Sequence, residues 1–229
     1  MNLSKETLAL IKNFSGINGS ILLQPGNRLA TISEGRNIMA EATIPEEFPQ
    51  TFGIYDLNEF LNAVNIFTSP QILSFKNQYV LITDGDSDSK IKYFGTGEGI
   101  VKETPATINF PNPEIEFFLD DYRLATIIKT ASVLKTNDIS IVGDKNTSEI
   151  MAVVSDKKND TANSYDVVLG KGSVCNMNFR VNFKLDSLKL LMPGTYDVWI
   201  SSKRISRFTH TTLDLRYFVA VETDSTFDE

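Results

Sequence analysis

Apolar residues recur at helical spacing close to the start of the chain. Between Ser4 and Phe14, Leu10 and Ile11 fall on the same side as Phe14 in a helix of about 3.6 residues per turn. Thr7 shares that side, and the opposite side carries small and basic residues, namely Lys5, Ala9 and Lys12. Ser4 can accept a first-turn N–H as the N-cap. The pattern predicts an amphipathic helix whose exposed face is basic, and a solvated surface is the simplest interpretation of those lysines.

Strand-like and helix-like patterns alternate along the rest of the chain. Alternating or β-branched runs between turn residues predict strands at 21–24, 28–33, 37–44, 51–55, 71–76, 79–83, 90–95, 114–119, 138–143, 149–155, 165–170, 178–183, 195–201, 206–212 and 215–222. Helical spacing predicts further helices at 57–67, 121–134 and 185–192. Pro25-Gly26-Asn27 predicts a hairpin between the first two strands.

The order of these elements occurs twice. A shift of 117 residues (129 − 12) places Lys12 on Lys129 and Ser4 on Asp121, which would be the N-cap of the later helix. The exposed stripe of that helix becomes Tyr122, Thr126 and Lys129, with Arg123 at its edge, and Lys189 lies in the last predicted helix. We therefore expect an α+β fold of two similar domains, each with antiparallel sheets and two helices. Their expected bounds are 1–99 and 114–229, joined by a proline-containing connector at 100–113.

Composition limits the possible functions. The 229 residues are 41% hydrophobic and carry a net charge of −7, so a protein that grips DNA over its whole surface is excluded, but one that attracts DNA along a single strip is not. No apolar run has the length of a membrane span, and the first residues lack a signal-peptide pattern, so we expect a cytosolic protein without a membrane partner. Cys175 is expected to be buried, and His210 has no visible partner in the sequence.

Three motifs that could bind ligands fit ordinary structure better. Asp84, Asp86 and Asp88 imitate a calcium loop, but Ser89 and Gly95 replace its glycine and glutamate. The glycine-rich run 95–99 lacks the Gly-Lys-Ser/Thr of a phosphate-binding loop. Asp120-Asp121 suits a helix start better than a carboxylate pair. We expect no metal, no cofactor and no catalytic site.

Four segments resemble one known family. They are L-S-K-E-T-L-A-L-I-K-N-F at 3–14, I-Y-D-L-N-E-F-L at 54–61, P-G-T-Y-D-V-W-I at 193–200 and Y-F-V-A-V-E-T-D-S-T at 217–226. Together, and in this order, they resemble the sliding clamp of T-even-type bacteriophages, a DNA polymerase processivity factor. The resemblance implies a homotrimeric ring of clamp domains, with double-stranded DNA passing through a hole lined by helices. It also implies a clamp loader, a polymerase that binds through a C-terminal peptide, a part in late transcription, and action in the infected bacterial cell.

The resemblance gives the candidate residues their roles. Sequence-independent attraction to phosphates suits a sliding ring, so the expected lining is Lys5, Lys12, Arg123, Lys129 and Lys189. The expected peptide pocket consists of Ile108, Phe110, Pro111, Val219 and Val221, each of which could equally be core or linker packing. The expected subunit contact pairs two edge strands, with Lys90, Ile91 and Tyr93 on one and Tyr165, Val167 and Leu169 on the other. The alternatives are a non-enzymatic two-domain structural or assembly protein of a virion and, more remotely, an enzyme.

Overall fold

The structure, a computed structural model, describes residues 1–67, 71–97, 99–147, 149–159, 161–169 and 177–228. The chain divides into two compact units, Met1–Thr107 and Ile108–Glu229. The boundary between them falls within the segment that the sequence assigns to a connector. Each unit combines antiparallel sheets with two described helices, so the predicted α+β class is confirmed.

The first unit pairs its strands in three small groups. Its elements are α1 (Lys5–Ser15), β1 (Ile21–Leu23), β2 (Gly26–Ile32), β3 (Ile38–Phe48), β4 (Phe52–Ile54), α2 (Leu57–Val64), β5 (Gln71–Phe75), β6 (Tyr79–Asp84) and β7 (Lys90–Phe94). Within the unit β2 pairs with β3, β1 pairs with β4, and β5, β6 and β7 form a sheet in that order. The predicted hairpin between β1 and β2 is wrong. Gly26, with a φ of 106°, already opens β2 opposite Phe48, and β1 pairs instead with β4.

The second unit contains two larger groups of strands. Its elements are β8 (Ile115–Leu119), α3 (Asp121–Leu134), β9 (Asp138–Asp144), β10 (Glu149–Val154), β11 (Tyr165–Val168), β12 (Phe179–Lys184), α4 (Leu185–Leu188), β13 (Tyr196–Ser201), β14 (Ile205–His210), β15 (Leu215–Ala220) and β16 (Thr226–Phe227). One sheet has the order β11-β10-β9-β12-β16, and another group has the order β15-β14-β13-β8.

Two elements of the second unit differ from the prediction. The helix expected at 185–192 is a single turn, because Leu190 and Leu191 donate their N–H groups three residues back, to Ser187 and Leu188. The short strand β16 was missed, since two residues carry no detectable periodicity. It pairs with Phe179 and Arg180 at the edge of β12.

The helices α1 and α3 correspond more closely in their buried residues than in their N-caps. Thr7, Leu10 and Phe14 are buried in α1, and the residues 117 positions later, listed here in the same order, are buried in α3: Leu124, Ile127 and Ala131. The predicted cap at Asp121 is wrong by one residue. Asp120 is the N-cap, and its carboxylate accepts the N–H of Arg123 at 2.8 Å. The helix predicted at 57–67 begins as predicted but ends earlier, at Val64. Asp56 is its N-cap, and four apolar residues on one face are buried: Leu57, Phe60, Leu61 and Val64.

A carboxylate on β3 fastens the start of α1. Glu46 accepts the hydroxyl of Thr7 at 2.5 Å and the backbone N–H of Ser4, while Ser4 caps the helix through the N–H of Thr7. Thr7 is fully buried. Burial opposes ionisation of Glu46, but these hydrogen bonds outweigh it and lower its pKa. The orientation of α1 on its sheet therefore depends on a charged group as well as on apolar packing.

The connector residues of the first unit are held by two cationic side chains. Lys102 donates to the carbonyl of Glu34 at 2.8 Å, and Arg28 donates to the carbonyl of Pro105 at 2.9 Å. Nearby, Gly53 forms a bridge with Thr96, whose carbonyl oxygen would lie 2.9 Å from any Cβ at position 53. The glycine there permits close approach of two backbones.

None of the described helices combines the length and the apolar character that a membrane crossing requires.

We predict that Glu46→Gln lowers the free energy of unfolding by about 1–3 kcal/mol at neutral pH, because it removes a charged acceptor from two donors. The pKa of Glu46 is lowered in the folded state, so the stabilisation is complete above the unfolded-chain pKa of about 4.3 and is lost as pH falls through the folded pKa. Urea unfolding as a function of pH measures this. Glu47→Gln, at an exposed neighbour, is the control, and an equal effect there would contradict the assignment.

Candidate functional site

The exposed side of α1 presents the predicted basic stripe. Lys5, Ala9 and Lys12 are all exposed, and the Lys12 ammonium donates to the amide oxygen of Asn58 on α2 at 2.8 Å. This bond joins the exposed sides of the two helices of the first unit. Because α2 exposes asparagines there (Asn58, Asn62 and Asn65), the combined surface offers N–H donors and positive charge.

The corresponding side of α3 follows the prediction in part. Lys129 is exposed and Tyr122 is 79% exposed. Thr126 is half-buried, however, and the neighbouring Ala125 is exposed instead. Residues three or four positions apart do not point in the same direction, so the exposed line of residues turns around the helix axis. Val133 is 70% exposed near the end of the helix. The face of α3 is therefore less basic than that of α1.

Arg123 is bound within its own unit. Its guanidinium forms an ion pair with Asp120, and its Nε donates to the carbonyl of Val168 on β11 at 3.0 Å. Burial opposes ionisation of Asp120, but hydrogen bonds from Arg123 and its charge lower the pKa of that carboxyl. A DNA-facing role for Arg123, predicted from its place on the helix, would have to compete with these contacts.

Other cations sort into exposed and engaged groups. Lys189 is exposed at the C-cap of α4. Lys157 forms an ion pair with Asp224 at 2.5 Å, and Lys184 lies 3.1 Å from Asp138. In the part of the chain that the structure describes, Lys5, Lys129 and Lys189 form no ion pair within 4 Å. Exposed ammonium groups of this kind attract phosphates without reading base sequence.

The strands proposed for subunit contact both lie at sheet edges. β7 is the outer strand of its three-stranded sheet, where Lys90 is exposed and Ile91 and Tyr93 are half-buried. The Tyr93 hydroxyl donates to the Asp56 carbonyl at 3.2 Å, and burial together with Glu59 and Asp56 raises its pKa to about 12. Tyr93 therefore supports α2 within its own chain.

The second edge strand corrects one predicted contact residue. Tyr165 and Val167 of β11 are half-buried, but Leu169 is fully buried and packs in the core. The alternate residues of the strand, Asp166 and Val168, are exposed. On β7 the corresponding exposed residues are Lys90, Lys92 and Phe94. The residues predicted on the second strand, and Ile91 and Tyr93 on β7, lie on the inward faces instead, because alternation alone does not say which face the core covers.

The predicted pocket separates into core and surface residues. Val219 and Val221 are 0% and 5% exposed, so they pack in the core of the second unit. Ile108, Phe110 and Pro111 are half-buried. The ring of Phe110 lies 6.5 Å from that of Trp199 and 6.4 Å from that of Phe218.

Arg207 completes this cluster. Trp199, Arg207 and Phe218 occupy neighbouring positions across β13, β14 and β15, which puts them on one face of the sheet. None of these three residues belongs to the predicted pocket. Their spacing along the strands is that of any partly covered face, so the sequence carries no signal that singles them out.

His210 has partners that the sequence did not reveal. Its Nδ1 accepts the N–H groups of Thr212 and Leu213 at 3.2 and 3.1 Å, and its ring lies edge-on to Tyr196. A Cβ at Gly194 would lie 2.1 Å from its Nε2, so the ring fills a space that only glycine leaves. His210 is therefore a structural residue of the β14–β15 turn. Cys175 lies outside the described residues.

Comparison with known proteins places the chain among replication proteins. Residues 4–100 match the family described as DNA polymerase processivity factor. The sliding clamp of Vibrio phage KVP40 is 31% identical over 97% of this chain and 99% of its own length. The sliding clamps of Escherichia phage RB69 and Enterobacteria phage T4 are 28% and 29% identical, and in each case the match covers 100% of both chains.

Solved structures share the fold at lower identity. The proliferating cellular nuclear antigen of Entamoeba histolytica superposes with a TM-score of 0.70 at 14% identity, covering 94% of each chain. The PCNA2–PCNA3 complex of Sulfolobus tokodaii gives a TM-score of 0.66 at 12% identity, covering 94% of this chain and 95% of the other.

We predict that Arg123→Gln lowers the free energy of unfolding by about 1 kcal/mol, since it removes a partly exposed ion pair and a hydrogen bond to β11. Lys129→Gln, on the same helix, should change the free energy by less than about 0.5 kcal/mol. Denaturant unfolding of both variants measures the difference. Equal effects would mean that the Arg123 contacts contribute nothing to stability.

Proposed function

Because the chain belongs to the sliding-clamp family of DNA polymerase processivity factors, we propose that three copies close into a ring around duplex DNA and hold the replicative polymerase on its template. The observation that carries the proposal is the exposure of Lys12 and Lys129 on the faces of α1 and α3 that point away from the buried apolar side chains. Family membership favours this role over that of a structural or assembly protein of a virion.

The lining suits a protein that must stay on DNA and still move along it. Enclosure prevents escape without any binding energy, so the contacts with DNA can be weak. Lysine contacts to phosphates are sequence-independent and are weakened by salt, which allows one phosphate to replace another as the duplex moves. Lys5, Lys12, Lys129 and Lys189 would supply them, with Arg123 a lesser contributor because of its internal contacts. This role is mechanical and requires no catalysis or cofactor.

We assign the subunit contact to the two edge strands. β7 exposes Lys90, Lys92 and Phe94, whereas β11 exposes Asp166 and Val168. Pairing β7 of one copy with β11 of the next would set positive against negative side chains and join the exposed apolar ones. Different surfaces then meet at each contact, which is the arrangement that generates rings.

The remaining partners follow from the family. We assign the C-terminal peptide of the polymerase to the cluster of Phe110, Trp199, Arg207 and Phe218, with Ile108 and Pro111 at its margin. A clamp loader would open the ring, late transcription factors would share its surface, and the protein would act in the cytoplasm of the infected bacterial host.

We predict that this protein, added with the cognate loader and polymerase, increases the length of product made in one binding event on primed DNA. Lys12→Glu combined with Lys129→Glu should reduce that gain at least about tenfold at moderate salt, because repulsion from phosphates replaces attraction. Primer extension with a trap for free polymerase measures it.

The matched control is Lys145→Glu combined with Lys203→Glu, two exposed loop lysines with the same change in net charge. It should leave product length unchanged. Wild-type protein that gives no increase would contradict the proposed function. Equal losses in both double variants would contradict only the assigned lining.

We predict that Asp166→Lys weakens ring assembly at least about fivefold per contact, since it sets a third positive charge beside Lys90 and Lys92. Adding Lys90→Glu and Lys92→Glu should restore assembly, because the contact again pairs opposite charges. Sedimentation equilibrium measures both steps. If circular dichroism shows that both variants are folded but the combined variant does not recover assembly, the subunit contact lies elsewhere.

A further inference from the structure

The cation of Arg207 lies against aromatic side chains on one sheet face of the second unit. The Cζ atom of Arg207 is 3.9 Å from the centre of the Trp199 ring and 5.2 Å from that of Phe110. Trp199 and Phe218 flank Arg207 on the neighbouring strands, at directly paired positions. The Trp199 ring lies within cation–π distance of the guanidinium, and the Phe110 ring lies to one side rather than opposite, since the two ring centres are only 6.5 Å apart.

The buried Nε–H of Arg207 has no hydrogen-bond acceptor among the described residues. In that part of the chain its guanidinium also makes no ion pair within 4 Å. Burial and repulsion from Arg216 lower the pKa of Arg207, while the charge of Glu116 opposes them. A buried charged donor without an acceptor is costly, and such a group is satisfied when a ligand brings one.

We propose that Arg207 binds the terminal carboxylate of the peptide through which a partner docks on this face. The inference rests on the proposed function, which supplies the peptide. A guanidinium held against the Trp199 ring is a planar fork of N–H donors, and a carboxylate is the group that matches it. An overall charge of −7 makes a positive site of this kind selective, because the rest of the surface repels an acidic chain end.

In this proposal, Phe110 takes part in access to the donor. Because Nε is buried and the Phe110 ring centre lies 5.2 Å from Cζ, the proposed binding requires this ring to move when the carboxylate binds. Phe110 lies in the proline-containing segment before β8, outside any regular element, so it can move without breaking a sheet hydrogen bond. An apolar side chain of the incoming peptide then takes the place of the Phe110 ring beside Trp199 and Phe218.

The sole tryptophan of the chain reports directly on this site. Trp199 fluorescence is followed while a synthetic peptide that copies the C-terminal end of the cognate polymerase is titrated into the full-length protein. One peptide carries a free terminal carboxylate and a second carries a terminal amide. We expect the amide to bind about tenfold more weakly, because it removes the charge that Arg207 pairs.

Variants locate the effect at Arg207. Arg207→Gln should bind both peptides with equal affinity, whereas Arg216→Gln, at the neighbouring cation, should retain the preference for the carboxylate. Circular dichroism shows whether each variant is folded. If Arg207→Gln does not fold, the test rests on the wild-type protein and the two peptides. Equal affinity of the wild-type protein for the carboxylate peptide and the amide peptide overturns the proposal.

A third peptide, with a free terminus and its internal acidic side chains replaced by amides, tests the source of the carboxylate. Retained tight binding supports the chain end, and its loss overturns that assignment in favour of a side chain. An unchanged preference in Arg207→Gln also overturns the proposal. If neither the carboxylate nor the amide peptide binds and primer extension also shows no gain, the failure lies in the proposed function.

Discussion

The burial of one side of α1 and α3 against antiparallel sheets determines what the opposite side can do. Each buried leucine or phenylalanine of these helices contributes about 1.5–3 kcal/mol through removal from water, and together they leave a single favourable rotation of each helix about its axis. Glu46 adds a polar anchor at the start of α1. Since lysine is rarely buried without a partner, Lys12 and Lys129 remain on the outward side.

The proposed function depends on the distinction between exposed and engaged cations. Arg123, Lys157 and Lys184 are used inside the second unit, where they hold a helix start and the C-terminal segment in place. Lys5 and Lys129 are left exposed to solvent, and the proposed function assigns them to phosphates. Few contacts of low specificity are what a ring that slides requires, because strong or base-specific contacts would stop it at one place.

The edge strands and the sheet that carries Trp199 offer a partner different contacts from those that the helices offer. On the edge strands, backbone hydrogen-bonding groups and opposite charges are available to a second copy of the chain. On the sheet that carries Trp199, the buried Nε of Arg207 has no acceptor among the described residues. In the proposed function, the helices therefore face a ligand that must move, while the edge strands and this sheet bind partners that must stay.

The sequence by itself determined the α+β class, the two-fold repeat and the positions of both long helices, because these depend on periodicity, and it indicated the family through the resemblance of four segments. The tertiary structure decided which strands pair, so the predicted β1–β2 hairpin gave way to a β1–β4 pair. It also placed Val219 and Leu169 in the core, engaged Arg123 with Val168, and set Arg207 against Trp199. Such contacts join residues far apart in the chain, and periodicity records only that a side chain faces inward or outward, not which distant group it meets.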